Sequence, residues 1–161
     1  TGAALIKGGV LMTLPYEVIF SRTRNKIYDP KELSLNPDDL IEIYTERLHS
    51  SASDPRIRKL FSTFILDDET QTLTYEFVHS VDEGADQDFI IELMVIGMTI
   101  EWLQPQVMSI KNTATMIGGK EEKKILDINK NMFERLDTLK TQRYRMIRDY
   151  GYMYNNYILG E

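Results

Sequence analysis

Cysteine is missing from the 161-residue sequence, and histidine occurs only as His49 and His79. The absence of cysteine excludes disulfide bonds, thiolate metal sites and cysteine nucleophiles. Two histidines are too few for an imidazole-rich metal site. Long apolar runs are also missing, because the longest, residues 89–103, contains Glu92 and Glu101 and is shorter than the roughly 20 residues of a membrane-spanning helix. We therefore expect no metal, no cofactor and no membrane partner.

The charge of the chain is negative overall but falls into three blocks. The net charge is −6 at pH 7. Residues 1–31 carry five basic and two acidic side chains, residues 32–119 carry five and sixteen, and residues 120–149 carry nine and six. The three net charges are thus +3, −11 and +3. An acidic middle between basic ends suits self-association or a polarised surface, although uneven surface charge alone gives the same pattern.

The N-terminal residues differ in composition from the rest of the chain. Residues 1–11 contain three glycines and show no periodic pattern. Met12 is a candidate natural start, and a genuine N-terminal arm is the alternative. The segment from Leu14 to Phe20 predicts a short extended stretch. We therefore assign residues 1–20 to an N-terminal arm.

Two helix-start signals follow this arm. The sequence Asn36-Pro37-Asp38-Asp39 combines a capping side chain, a proline suited to the first turn and two carboxylates that complement the helix dipole. The helix that it predicts should end near His49, where several serines follow. The sequence Asp54-Pro55 repeats the signal and predicts a short helical turn.

Residues 62–78 show the alternation of a β-hairpin. Apolar and polar side chains alternate on both sides of the acidic turn formed by residues 67–70, and threonine and aromatic residues are enriched. A lone hairpin is marginally stable in water. The hairpin should therefore pack on helices or on a neighbouring chain.

A helix that is apolar on nearly every side is predicted from about residue 88 to residue 104. Such a helix lies at the centre of a bundle or is covered by a partner subunit. Gly97 allows another helix to approach closely, and Pro105 is expected to end or kink the helix. The carboxylates at residues 82–88 lack the spacing of a calcium-binding loop, so we interpret them as helix-capping residues.

The last long helix is predicted over residues 120–149, with an apolar stripe from Ile125 to Tyr150. At 1.5 Å per residue it would span roughly 45 Å, so it should pack against a helix of its own chain or of another subunit. The expected fold is mainly α: a helical bundle over residues 21–149, with the inserted β-hairpin and extended terminal arms.

Five basic side chains give the last helix a cationic end. They are Arg135, Lys140, Arg143, Arg145 and Arg148. We rank their pairing with the acidic middle of a neighbouring subunit first, and Asp67, Asp68 and Glu69 are further candidates for a subunit interface or for charge pairing. Complementation of the helix dipole ranks second, and contact with nucleic-acid phosphates ranks third.

The C-terminal segment, residues 150–161, is aromatic and too short to fold alone. Its candidate partner-binding residues are Tyr150, Tyr152, Tyr154, Asn155, Asn156 and Tyr157. We expect this tail to dock on a partner, where it could add a strand to a sheet edge; docking on its own domain is the alternative.

No combination of residues predicts catalysis. Serines lie beside each histidine, but neither pair has the context of an activated nucleophile. The sequence Gly118-Gly119-Lys120 lacks the first glycine and the final serine or threonine of a phosphate loop. We expect the protein not to be an enzyme.

Four short stretches of the C-terminal half carry a family resemblance. They are residues 88–98, residues 101–107, residues 118–123 and residues 148–152. Together with the order of the preceding elements, they resemble the head–tail connector (adaptor) proteins of tailed bacteriophages. The resemblance covers roughly residues 16–157.

The resemblance implies a structural protein of the virion neck, assembled in the host cytoplasm. Copies of such a protein form a ring beneath the portal protein, extend the DNA channel and offer a platform to the next neck or tail component. DNA passes through the lumen without sequence-specific binding. In that family the C-terminal segment reaches the portal, which here corresponds to residues 150–161. The alternative is a small helical DNA-binding or regulatory protein that uses the basic last helix.

Overall fold

The computed structural model describes residues 10–153, and the side chains of residues 10–150. Helices pack against a small three-stranded sheet, so the predicted, mainly helical fold is confirmed. In chain order the elements are β1 (Met12–Pro15), α1 (Tyr16–Lys26), α2 (Pro30–Leu33), α3 (Pro37–Ala52), α4 (Pro55–Arg58), β2 (Phe61–Asp67), β3 (Thr72–Phe77), α5 (Glu83–Ile117), α6 (Gly119–Ile128) and α7 (Lys130–Met153).

The predicted β-hairpin is confirmed as strands β2 and β3. Strand β1 adds to β3 on its other side, which gives an antiparallel sheet of order β1-β3-β2. Leu73, Tyr75 and Phe77 are buried in alternation, as the period of two requires. The third strand and the helices thus provide the packing that an isolated hairpin lacks.

The extended segment predicted from Leu14 to Phe20 is wrong after Pro15. Helix α1 begins at Tyr16, whose backbone N–H donates to the carbonyl of Gln71 at 2.8 Å. Tyr16, Ile19 and Phe20 are fully buried, with a spacing that suits one face of a helix. Residues 12–20 of the expected arm therefore belong to the folded body; residues 1–9 lie outside the described residues.

Side-chain caps start the helices where the sequence predicts them. The side chain of Asn36 accepts from the N–H of Asp39 at 2.9 Å, and that of Asp54 accepts from the N–H of Arg56 at 2.9 Å. Asp82 accepts from the N–H of Ala85 at 2.7 Å, so the role of the acidic run as a helix cap is confirmed. Helix α3 extends past His49 to Ala52, because its last turn is buried against α5.

Helix α5 is the centre of the bundle. All residues from Leu93 to Ile100 are buried, and helices α1, α3, α6 and α7 pack around it. The prediction of a central position is confirmed for the predicted stretch, whereas Met108, Met116 and Ile117 farther along α5 are exposed. Pro105 does not end it: α5 is 35 residues long and continues beyond the proline to Ile117, and the side-chain amide of Gln106 donates to the carbonyl of Trp102 at 3.0 Å.

The single last helix predicted from residue 120 is wrong, because α6 and α7 are separate. The break lies at Asn129, whose φ of −99° and ψ of 10° depart from helical values; its side-chain amide and its backbone N–H both donate to the carbonyl of Ile125, at 2.8 and 3.3 Å. Leu136 of the predicted stripe is buried, but Ile128 is 71% exposed. Helix α7 alone spans roughly 36 Å.

Candidate interaction surfaces

Two of the five predicted basic side chains donate to backbone carbonyls of their own chain. Arg135 donates to the carbonyl of Lys26 at 2.9 Å. Arg143 donates to the carbonyl of Ser51 at 3.0 Å, and its guanidinium lies 3.6 Å from the carboxylate of Asp54. These contacts attach α7 to α1 and α3, so both arginines have a structural role in the described fold.

The Arg143–Asp54 contact is largely removed from solvent. The side chains are 19% and 15% exposed. Burial lowers the pKa of Arg143, although the Asp54 carboxylate opposes this effect. The hydrogen bond from Arg56, together with the nearby Arg143, holds the pKa of Asp54 below its usual value. Asp54 therefore stabilises the folded chain as an anion.

Replacing Asp54 by asparagine should remove this stabilisation and keep the cap of α4, since the two residues cap helices equally well. The pKa of Asp54 is depressed in the folded state, so its contribution is present above about pH 4 and is lost as the pH falls through the folded value. We expect the Asp54→Asn variant to be less stable than the wild type by about 1 kcal/mol at pH 7. Urea unfolding at pH 7 and pH 3 should show that the difference in free energy of unfolding between the two proteins becomes smaller in acid. The same difference at both pH values would contradict a stabilising role of the Asp54 anion.

The other basic side chains are exposed, and one of them borders a groove between α4, β3 and α7. Arg56, Lys59 and Arg148 lie around this groove, and its floor is formed by Leu60, Val78, Ile147 and Tyr150. His79 also lines it, and its volume is about 330 Å³. We call these residues the cationic groove. A cationic rim over an apolar floor is suited to a ligand that combines carboxylates with an apolar side chain.

Aromatic contacts hold two arginines at the rim of the cationic groove. The guanidinium groups of Arg56 and Arg148 each lie 5.9 Å from the centre of the Tyr144 ring. Such contacts restrict the side chains without neutralising their charge. Lys140 lines an adjoining cleft of about 260 Å³ with Arg56, and Arg145 lies on an exposed face of α7.

The acidic residues of the hairpin form an ordered turn. One carboxylate oxygen of Asp67 accepts from the N–H groups of Glu69 and Thr70 at 3.0 and 3.2 Å. The carboxylate of Asp68 accepts from the Tyr16 hydroxyl at 2.7 Å and lies 2.8 Å from Nε2 of His49. We call residues 67–70 the acidic turn; its shape is held by its own side chains and by two helices.

The acidic turn lies far from the cationic groove. Leu60 lines the groove, strand β2 runs from Phe61 to Asp67, and the turn follows directly. At roughly 3.3 Å per residue the strand separates the two surfaces by about 20 Å. The turn of one chain therefore cannot enter the groove of that chain.

The structure corrects the expected role of Tyr150. It is 8% exposed and stacks on Phe89 with ring centres 4.7 Å apart, and its hydroxyl donates to the carbonyl of His79. Tyr150 is thus a core residue at the end of α7, which continues to Met153. The remaining predicted tail residues lie outside the described side chains; they are Tyr152, Tyr154, Asn155, Asn156 and Tyr157.

Sequence reasoning missed the contribution of α4 to the cationic groove. Arg56 and Lys59 lie in the acidic block of the chain, where the block average hides them. The basic residues that follow Asp54-Pro55 in the sequence could have indicated a local positive charge. Only the packing of α4 beside the end of α7, however, brings them close to Arg148. Tyr16 and His49 were missed as supports of the acidic turn for the same reason.

Metal and membrane sites are not found in the described part of the chain. Among residues 10–150, no group of three histidine, aspartate or glutamate side chains could hold a metal ion. None of the described helices is both long and apolar enough to cross a membrane.

Comparisons with protein families, with curated proteins and with solved structures found no match to this chain. The function must therefore be argued from the two charged surfaces, the fold and the resemblance of the sequence.

Proposed function

We propose that this protein is a non-enzymatic structural subunit of a virion neck. Copies of it form a ring that joins the portal to the next neck or tail protein and extends the DNA channel. The observation that carries the proposal is the placement of an acidic turn and a cationic groove about 20 Å apart on one small fold. The resemblance of residues 16–157 to head–tail connector proteins supports it.

The separation of the two surfaces supports a ring. A contact between two different patches is heterologous, and repeated heterologous contacts close into a ring when the rotation between subunits allows it. The apolar stretch of α5 from Leu93 to Leu103 is largely covered within the chain, so this proposal does not depend on burying it between subunits. Charged and polar surfaces instead suit a subunit that is stable before it assembles.

The two ends of α5 offer separate places for two different partners. At one end α7 and Tyr150 pack beside Phe89, and the C-terminal residues follow. At the other end the helix turns into α6 through Gly118 and Gly119, where Met116 is 88% exposed. Phe89 and Met116 are separated by roughly 40 Å along the helix. A connector needs such a pair of ends, one for the portal and one for the next component.

The alternative of a DNA-binding protein receives less support. Arg135 and Arg143 donate to backbone carbonyls of their own chain, so the basic residues of α7 do not form a free row for phosphates. The net charge of −6 also suits a conduit, because a lumen that gripped phosphates would hinder the passage of DNA.

Native mass spectrometry of the protein with its portal protein tests the proposal. We expect a complex that contains several copies of the chain. A variant lacking residues 154–161 should keep the thermal stability of the full chain, since the deletion begins beyond Tyr150 and α7, but should lose binding to the portal by at least about tenfold.

Three results would each change a different part of this proposal. Absence of a complex at every salt concentration would reject the connector function. Equal portal binding by the shortened chain would reject the role of the tail and leave the ring untouched. Tight, salt-dependent binding of duplex DNA by the isolated chain would favour the alternative.

A further inference from the structure

We propose that the acidic turn of one copy docks in the cationic groove of the next copy. This inference rests on the proposed function, because it names the contact that joins neighbouring subunits. The partner is therefore a second copy of this chain, and the ligand of the groove is a carboxylate-rich β-turn.

The groove has the chemistry that such a turn requires. Arg56, Lys59 and Arg148 lie around an apolar floor, and the carboxylates of Asp54 and Asp149 offset two of their three positive charges. Asp54 pairs with Arg56 at 2.7 Å, and Asp149 pairs with Arg148 at 2.9 Å, so two of these cations are held in position by neighbouring carboxylates. Lys59 is exposed on the same rim. It is the cation best placed to accept a new carboxylate partner.

The acidic turn has the complementary chemistry. Asp67 and Asp68 are occupied in holding the turn together, and Glu69 is exposed at its tip. Two residues before the turn, Ile65 is 56% exposed on strand β2. Glu69 therefore supplies a charge for the rim, and Ile65 supplies an apolar side chain for the floor.

Preorganisation favours this contact. The turn is fixed by hydrogen bonds from Glu69, Thr70 and Tyr16 before any partner binds, so little conformational entropy is lost on docking. The groove is similarly prepared by the rings of Tyr144 and Tyr150. A single exposed ion pair contributes little, but a preformed set of charges around an apolar contact contributes more.

The geometry makes the contact directional. Turn and groove lie at opposite ends of β2, so each copy presents both surfaces and uses each with a different neighbour. When the two surfaces engage different neighbours, the contact propagates from copy to copy, as a ring requires.

Charge reversal at the two exposed residues tests the contact. Light scattering and sedimentation in low salt should show that Glu69→Lys and Lys59→Glu each weaken self-association by at least about tenfold. The double variant should recover self-association, because the reversed charges attract again. An equimolar mixture of the two single variants should also associate, through the intact turn of one and the intact groove of the other.

Matched controls separate this contact from a general effect of charge. Glu121→Lys and Lys123→Glu change the net charge by the same amounts on α6, which lies outside both surfaces. They should leave self-association unchanged. Circular dichroism of each variant checks that the fold is retained.

Each remaining outcome has a defined consequence. Failure of the double variant to recover would overturn the proposal, and so would a wild type that stays monomeric at high concentration in low salt. Portal binding by such a monomer would still support the connector function, so the two failures are distinguishable. Loss of duplex DNA binding in Lys59→Glu, with self-association unchanged, would assign the groove to phosphates and overturn the proposal.

Discussion

Replacing Gly97 by alanine is expected to lower the free energy of unfolding by about 3 kcal/mol. A Cβ at this position would lie 1.9 Å from Oγ and 2.8 Å from Cβ of Ser51 on α3. The hydroxyl of Ser51 also donates to the carbonyl of Met94 at 3.3 Å, about one turn earlier on α5. The two helices therefore touch backbone to side chain here, and one of them must move to admit a methyl group.

The sign of this effect makes the experiment decisive. In an unhindered helix interior, the change from glycine to alanine stabilises by about 1 kcal/mol. A Cβ at Gly84, near the start of the same helix, would lie 3.5 Å from a carboxylate oxygen of Asp82, an ordinary contact distance, so Gly84→Ala serves as the unhindered control. Urea denaturation should show a loss for Gly97→Ala and little change or a gain for Gly84→Ala. Equal behaviour of the two variants would disprove the close contact.

A double-mutant cycle locates the clash. Ser51→Ala removes the Oγ atom but keeps the Cβ atom, so it should relieve part of the cost of Gly97→Ala. A coupling free energy of about 1 kcal/mol or more between the two substitutions would confirm their direct contact. Strict additivity would show that the cost of the alanine arises elsewhere.

Truncating Tyr150 to alanine is expected to cost about 3–4 kcal/mol of stability. The ring stacks on Phe89 and lies 5.2 Å from Phe77 between ring centres, so its removal leaves a cavity where α5, β3 and α7 meet. The hydroxyl donates to the carbonyl of His79, and Tyr150→Phe removes this bond while keeping the ring. The phenylalanine variant should therefore lose only about 1 kcal/mol.

Thermal and urea unfolding of the two Tyr150 variants distinguish a core residue from a docking residue. A large difference between alanine and phenylalanine shows that the ring supports the fold. If Tyr150→Ala were as stable as the wild type and only portal binding were lost, Tyr150 would be a docking residue and not a core residue.

Local signals made much of the fold predictable. The caps at Asn36, Asp54 and Asp82 act within one turn, and the alternation of β3 reflects a single buried face, so each can be recognised in a short window. The pairing of β1 with β3 joins residues about sixty positions apart. No local pattern predicts such a pairing, which is why the sequence from Met12 to Pro15 indicates only an arm and not a strand of the sheet.

The interaction surfaces were less predictable than the fold. The composition of α7 showed its positive charge, but the direction of each side chain depends on the partner helix. Arg143 turns towards Ser51 and Asp54, whereas Arg148 reaches the groove rim. The Asn129 break was hidden because asparagine is tolerated within helices as well as at their ends.

The uninterrupted course of α5 has a mechanical consequence. A force applied at the turn that contains Gly118 is carried along the axis of this helix to its N-terminal end. The helix should therefore resist compression along its axis. Its most compliant point is Pro105, which lacks an N–H and therefore one backbone hydrogen bond of the helix. Under load the helix should bend near Pro105, where it lacks this hydrogen bond.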